Sequence, residues 1–242
     1  MRLSRSFMVS SFVIIVLAAA FTITAQAESI RGPILGFTRD SAGRVIWPII
    51  GVPGAAAFAG RLQLDAGIRN AIISPAQDYA LAVRSDDGSV VVISLTADPP
   101  TLSPISGTHL NPDMMATSPT GSAAAVYDPE TQIVQVIGQL PHAPELIHEF
   151  NLSNTPGRAT GMALSDDGMI ALVKFASDDI AAGTALWVVD LSGAWRVESE
   201  GPATAAFFPN RHDVIVADDA TQSVFLMMDL DHGATRIPVH GG

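Results

Sequence analysis

There is no cysteine among the 242 residues of this chain. That one absence removes disulfides, thiolate nucleophiles, cysteine-bound metals and a lipidated amino-terminal cysteine. Basic residues are scarce, with 13 Lys and Arg against 24 Asp and Glu and a net charge of −11. No Lys/Arg cluster offsets that balance, so the surface repels phosphate backbones and nucleic acid is not an expected partner. The acidic excess chiefly serves solubility. Beyond residue 27 no apolar run approaches the ~20 residues needed to span a bilayer. Catalytic signatures are missing too: there is no G-x-S-x-G and no H-x-x-x-H, and neither Gly51-Val52-Pro53-Gly54 nor Gly241-Gly242 forms a phosphate loop. What the chain does have is 48% apolar and only 15% charged residues, enough for a sizeable core and unlike a disordered chain.

Residues 1–27 read as a secretory signal. Arg2 and Arg5 form the positive region, Phe12 to Phe21 the apolar core, and Ala25-Gln26-Ala27 a cleavage site that leaves Glu28 first. An unbroken apolar run of about ten residues is too short for a retained anchor. The expectation is a mature chain of residues 28–242 outside the cytoplasm, periplasmic or secreted, with no membrane attachment after cleavage.

The mature chain repeats one phrase. Asn70 to Val83 holds a short apolar strand, Ser74-Pro75, a polar turn and a second apolar strand; Ser89 to Leu95 supplies a third. The phrase returns at Met114 to Val126, at Gly161 to Val173 and at Thr204 to Val216. Its aligned positions Ser74, Ser118, Ser165 and Phe208 lie 44, 47 and 43 residues apart. A period of roughly 40–45 residues with about four strands each is that of propeller blades. Helical repeats of that length need apolar residues at i, i+3, i+4 and i+7, whereas these runs are short, rich in Val and Ile, and broken by Pro, Gly and Asp.

Taken in order, Ile34 to Ile50 predicts a hairpin around Asp40-Ser41-Ala42-Gly43. It aligns with Val126 to Val136, the second and third strands of a later repeat, so the chain enters partway through a blade. Pro48 suits an edge position, and Ala55 to Leu64 supplies an outer strand. The first full repeat has strands at Ala71–Ser74, Tyr79–Arg84 and Ser89–Leu95, then a proline-rich connection from Thr96 to Pro104. Later repeats place an outer strand at Glu145–Phe150, an extended loop at Ser177–Gly183, and third strands at Thr184–Asp190 and Ser223–Leu230. Third strands close on Leu95, Leu191 and Leu230, a repeated answer to one packing problem. Alternation within strands is weak, as in sheets packed on both faces.

The Ser-Pro turn, the Val-rich third strand and its Asp-Leu ending resemble those of bacterial YVTN and WD-repeat-like β-propellers. The resemblance covers most of residues 32–240. The Trp-Asp ending of WD repeats and the Ser-x-Asp-x-Gly-x-Thr-Trp box of sialidase-type propellers are absent, so the resemblance implies an architecture and transfers no catalytic residue.

Candidate chemistry is sparse. His109, His142, His148, His212, His232 and His240 show no metal-ligand spacing and read as surface histidines. The acidic turns Asp86-Asp87-Gly88, Asp166-Asp167-Gly168, Asp178-Asp179 and Asp218-Asp219 sit at inequivalent repeat positions without an EF-hand pattern, and turn chemistry accounts for them. Repetition marks Ser74, Ser118 and Ser165 as structural rather than nucleophilic. Asn151-Leu152-Ser153 is a sequon that matters only on a eukaryotic secretory route. Met114, Met115, Met227 and Met228 read as core filler.

The expectation is an all-β propeller with four recognisable four-stranded repeats and a leading part-blade. Residues 28–242 hold just under five blades, so three readings stay open: part of a longer propeller, an unusual closed five-bladed ring, or an open array completed by a partner. The functional expectation is an exported, non-enzymatic binding or scaffold protein with no catalytic, cofactor or metal residues assigned. The alternatives are an extracytoplasmic enzyme or accessory subunit, and a truncated propeller without independent function.

Overall fold

The computed structural model describes residues 33–176, 184–199, 202–232 and 234–239. The signal-peptide expectation, the loop at Ser177–Gly183 with Asp178-Asp179, and His240 lie outside these residues. The fold is that of the unit Ile34–Gly242. It is all-β: five antiparallel sheets and one short 3-10 turn, Leu230–His232, with no α-helix among the described residues.

Each sheet is a meander of chain-consecutive strands. Sheet 1 has three: β1 (Ile34–Arg39), β2 (Ile46–Val52) and β3 (Ala55–Phe58). Sheet 2 has β4 (Ile68–Ile73), β5 (Tyr79–Arg84), β6 (Val90–Ser94) and β7 (Thr101–Pro104). Sheet 3 has β8 (Met114–Thr117), β9 (Ala124–Asp128), β10 (Ile133–Gly138) and β11 (Glu145–Asn151). Sheet 4 has β12 (Arg158–Leu164), β13 (Ala171–Ala176), β14 (Thr184–Asp190) and β15 (Gly193–Arg196). Sheet 5 has β16 (Ala203–Phe207), β17 (Val214–Asp218), β18 (Ser223–Met228) and β19 (Thr235–Val239).

The repeat phrase forms the first two strands of sheets 2 to 5, as its spacing predicts. The leading hairpin forms β1 and β2, and among the described residues the sheet it starts has one strand fewer than the others. Three expectations change. Pro48 is not on an edge strand, because β2 lies between β1 and β3. Its carbonyl accepts from Ala59 N at 2.9 Å, just past the end of β3, so its missing N–H falls where that ladder stops. The connection Thr96–Pro104 contains a strand, β7, which pairs with β6 from Val91↔Pro104 to Ser94↔Thr101. The shared strand ending does not share an environment: Leu95 and Leu230 are buried, whereas Leu191 is 59% exposed in the tight turn between β14 and β15.

Packing runs sheet to sheet in chain order. Phe37 and Ile46 of sheet 1 pack on Ala71, Ala80, Ala82, Val91 and Ile93 of sheet 2. Tyr79, Leu81, Val90 and Val92 on the other face of sheet 2 meet Ala124, Val126 and Ile137. Ala125, Tyr127, Val134 and Val136 then meet Leu164, Val173, Phe175 and Val189. Leu172, Leu186 and Val188 meet Phe207, Val214, Val216 and Phe225. Among the described residues no apolar cluster joins sheet 5 to sheet 1.

Candidate functional site

Chemistry collects at the turns between the first and second strands of each sheet. In sheets 2, 3 and 4 a Ser builds the turn. Ser74, Ser118 and Ser165 have no exposed surface. Each backbone N–H donates to the carbonyl five residues on, from Ser74 to Tyr79, Ser118 to Ala123 and Ser165 to Ile170, all at 2.9 Å. Each carbonyl accepts from the residue three on, which has positive φ: Gln77, Gly121 and Gly168. The hydroxyls are turn closers. Ser118 Oγ accepts from Ala123 N at 3.2 Å and Ser165 Oγ from Ile170 N at 3.0 Å. Ser74 Oγ donates to Asp78 at 2.6 Å and Ser165 Oγ to Asp167 at 2.7 Å.

Neighbouring turns are stitched together one repeat at a time. Gln77 Oε1 accepts from Phe37 N on the unpaired side of β1 at 2.6 Å. Tyr79 donates from its buried hydroxyl to Gly121 O at 2.8 Å; burial, then the charge of Asp78, pushes its pKa up. Asp166 Oδ1 accepts from Thr120 N at 2.7 Å and Thr120 Oγ1 at 2.5 Å, while its Oδ2 accepts from Asn210 N at 2.6 Å. Ser122 Oγ donates to Asp166 O at 2.7 Å. His212 Nε2 lies 2.8 Å from Asp167 Oδ2 and its Nδ1 lies 3.2 Å from Asp231 Oδ2. The links from one sheet to the next span 40, 42, 44, 45 or 46 residues, close to the repeat itself.

Sheets 3, 4 and 5 thus close a polar cavity of about 460 Å³, lined by Ser122, Asp166, Asp167, Asn210, Arg211 and His212. Its electrostatics are set by these bonds. Burial raises the Asp166 pKa, but donors from Asn210 and Thr120 outweigh it and hold the carboxyl below its ordinary value. Burial likewise opposes ionisation of Asp167, and bonds from Met169 N, Ser165 and His212 overcome it. Burial lowers the His212 pKa, and its two carboxylate partners reverse this and raise it. His212 is therefore engaged by a carboxylate at each ring nitrogen, an arrangement that favours its protonated form. Arg211 is the open group, with its side chain 66% exposed beside Asp213 at 3.2 Å.

The other sequence candidates are separate. His109 bonds Asp128 at 3.0 Å and Thr131 at 3.2 Å, and His148 Nε2 lies 2.8 Å from Gly168 O. His142 is exposed, and His232 ends the 3-10 turn. Asp87 closes its own turn through Ser89 N and Oγ, and Asp218 does so through Ala220 N. Among the described residues no three His, Asp or Glu side chains cluster as a metal site. Asn210, Arg211 and Thr120 escape sequence reasoning, and the signal that finds them is their offset of one repeat from Asp166.

No family model and no curated protein matches this chain. Solved structures do. Hsv2 of Kluyveromyces lactis is similar at 11% identity over 86% of this chain and 73% of that one, with a TM-score of 0.53. Hydrazine synthase of Kuenenia stuttgartiensis is similar at 12% identity over 88% and 68%, with a TM-score of 0.50. A periplasmic gluconolactonase of Pseudomonas aeruginosa reaches 17% identity over 86% and 69%, at a TM-score of 0.46. Likeness at this identity speaks for fold alone. The fold is β-propeller-like, and the chain spans 54–73% of the length of the structures compared with it.

Proposed function

We propose that the chain is an exported, non-enzymatic binding or scaffold protein of the β-propeller type, which presents its first turn end for recognition. The observation that carries this reading is the cavity of about 460 Å³ at that end. Three successive sheets build its walls, one-repeat hydrogen bonds fix its carboxylates and the His212 ring, and the Arg211 side chain is largely exposed at it. Fixed polar groups around an exposed cation suit selective binding, because little side-chain entropy remains to be lost. Four four-stranded sheets after a three-stranded one support four blades with a leading part-blade. The first 27 residues support export to the periplasm or beyond. A net charge of −11 supports partners other than nucleic acid.

A photo-crosslinking residue placed at position 211, and separately at exposed Glu130 of the turn between β9 and β10, tests this in living cells. One discrete adduct from position 211 supports the reading; no adduct, or the same adduct from both positions, sinks it. Sequencing the mature amino terminus tests export, with Glu28 expected first.

The enzyme or accessory-subunit reading rests on a single observation, the gathering of three groups with shifted pKa values, Asp166, Asp167 and His212, in one cavity. A catalytic activity lost in both Asp167→Asn and His212→Gln, at unchanged melting temperature, decides in its favour.

A further inference from the structure

Every interface between neighbouring sheets joins the same two kinds of surface: the leading face of one sheet and the trailing face of the next. On the second strand the leading-face position is Leu81 in sheet 2, Ala125 in sheet 3, Leu172 in sheet 4 and Ile215 in sheet 5. The first three are 0%, 0% and 1% exposed, and Ile215 is 40% exposed. Its partners on the third strand repeat the contrast: Val92, Val136 and Val188 are buried, and Leu226 is half-exposed.

The leading face of sheet 5 is a largely apolar surface edged by Thr204 and Thr235. Strand register aligns Ala206, Ile215, Leu226 and Ile237 in one row across all four strands. Thr204, Ala217, Val224 and Val239 form the adjacent row. At the other end, the trailing face of sheet 1 carries Trp47, Ile49 and Phe58, with Phe58 paired to Ile49 and 72% exposed. Among the described, paired strand residues no charged side chain stands on either face, in a chain whose net charge is −11.

An exposed sheet face on which Ile215, Ile237 and Val239 stand together marks an interaction site. Its occupant is indicated by the four interfaces already formed, which all join a leading to a trailing face through branched aliphatic and aromatic side chains. The two open surfaces are one of each kind. We infer that sheet 5 of one copy of this chain docks on sheet 1 of a second copy, head to tail, continuing the sheet stack between molecules. The inference deepens the scaffold reading, on which it rests, by naming a partner. A head-to-tail contact either closes into a ring of copies or extends as an open series.

The test is the solution mass of the full chain against concentration, by light scattering, for the parent, Ile215→Asp and Phe58→Asp. Both positions are exposed, so each variant should keep the parent melting temperature; Ile237→Lys replaces Ile215→Asp should that one unfold. The parent is expected to self-associate, and each variant alone to shift association at least tenfold to higher concentration. Mixing the two variants should restore a species of two copies and no larger, because each retains one intact face. A parent that stays monomeric overturns the inference and points to another chain as the occupant. So does association that survives both substitutions, or that only Ile215→Asp abolishes, which indicates like faces pairing. A monomeric parent that is strongly destabilised by substitutions on both faces also overturns it, since sheet 5 then meets sheet 1 within one molecule. None of these outcomes bears on adducts from position 211, so the recognition reading fails or stands separately.

Discussion

Sheets 3 and 5 start from nearly the same phrase and end in different surroundings. In sheet 3, β9 is buried along Ala124 to Tyr127, on both of its faces. In sheet 5, β17 reads buried, exposed, buried along Val214, Ile215 and Val216. The backbone pairing is the same, and each strand lies second in a four-stranded meander. What differs is whether a further sheet covers the leading face. Strand burial in a stacked array is thus a property of position in the stack as much as of local sequence. The largely apolar patterning of sheet 5 is an interior pattern on a face that no other described sheet covers.

The sharpest way to break this comparison is to charge an interior face. Val91 and Val189 are buried on β6 and β14, so Val91→Asp or Val189→Asp strands a carboxylate among apolar neighbours. Each should cost several kcal/mol, of order 4 or more, in denaturant unfolding. If both melt like the parent, these strands are not core.

A matched pair gives the next largest effect. Leu172→Ala and Ile215→Ala truncate equivalent leading-face positions. The interior change should cost about 2–5 kcal/mol through lost transfer energy and a cavity, and the terminal one less than about 1 kcal/mol in the monomer. Equal losses would mean that the terminal face is covered.

Tyr79→Phe probes the stitching between sheets 2 and 3. It leaves Gly121 O without its donor, at a cost of about 1–3 kcal/mol. Sheet 5 has a corresponding weakness, because Phe208 stands where the other repeats have a buried Ser, and its side chain is partly exposed.

The smallest effect is on pH dependence, through the links at the first turns of sheets 4 and 5. Asp166 and Asp167 are depressed below the ordinary carboxyl value, so their stabilisation is complete above about pH 4 and is lost as pH falls through their folded values. His212 is raised above 6.5, so its stabilisation is complete below that pH and is lost as pH rises through its folded value. Melting temperature should therefore be highest between about pH 4 and 6.5. His212→Gln should flatten the alkaline side; an unchanged alkaline slope would show that the imidazolium contributes nothing.

The strands β5 and β14 are legible in the sequence to the residue, because each is an apolar run bounded by turn residues. The outer strands are not. β7 holds Pro104 and follows Pro99 and Pro100, so it reads as a connection, and β19 holds Pro238. Both are exposed and short, and only pairing to the third strand makes them strands. The cavity escaped for a related reason. Metal and catalytic spacings are short-range patterns, whereas Asp167 and His212 stand 45 residues apart. The end-face contrast is invisible in composition, since Leu172 and Ile215 are equally apolar and only the missing neighbour distinguishes them.

The one-repeat span of the turn links bears on how such a chain folds and grows. A contact that joins residues some 44 apart needs only two adjacent repeats to be present. Order can therefore nucleate in any neighbouring pair and spread outward, without waiting for the two ends of the chain to meet. A duplicated repeat would likewise carry in both halves of the next link, so that the array could lengthen by whole units without disturbing a bond already made.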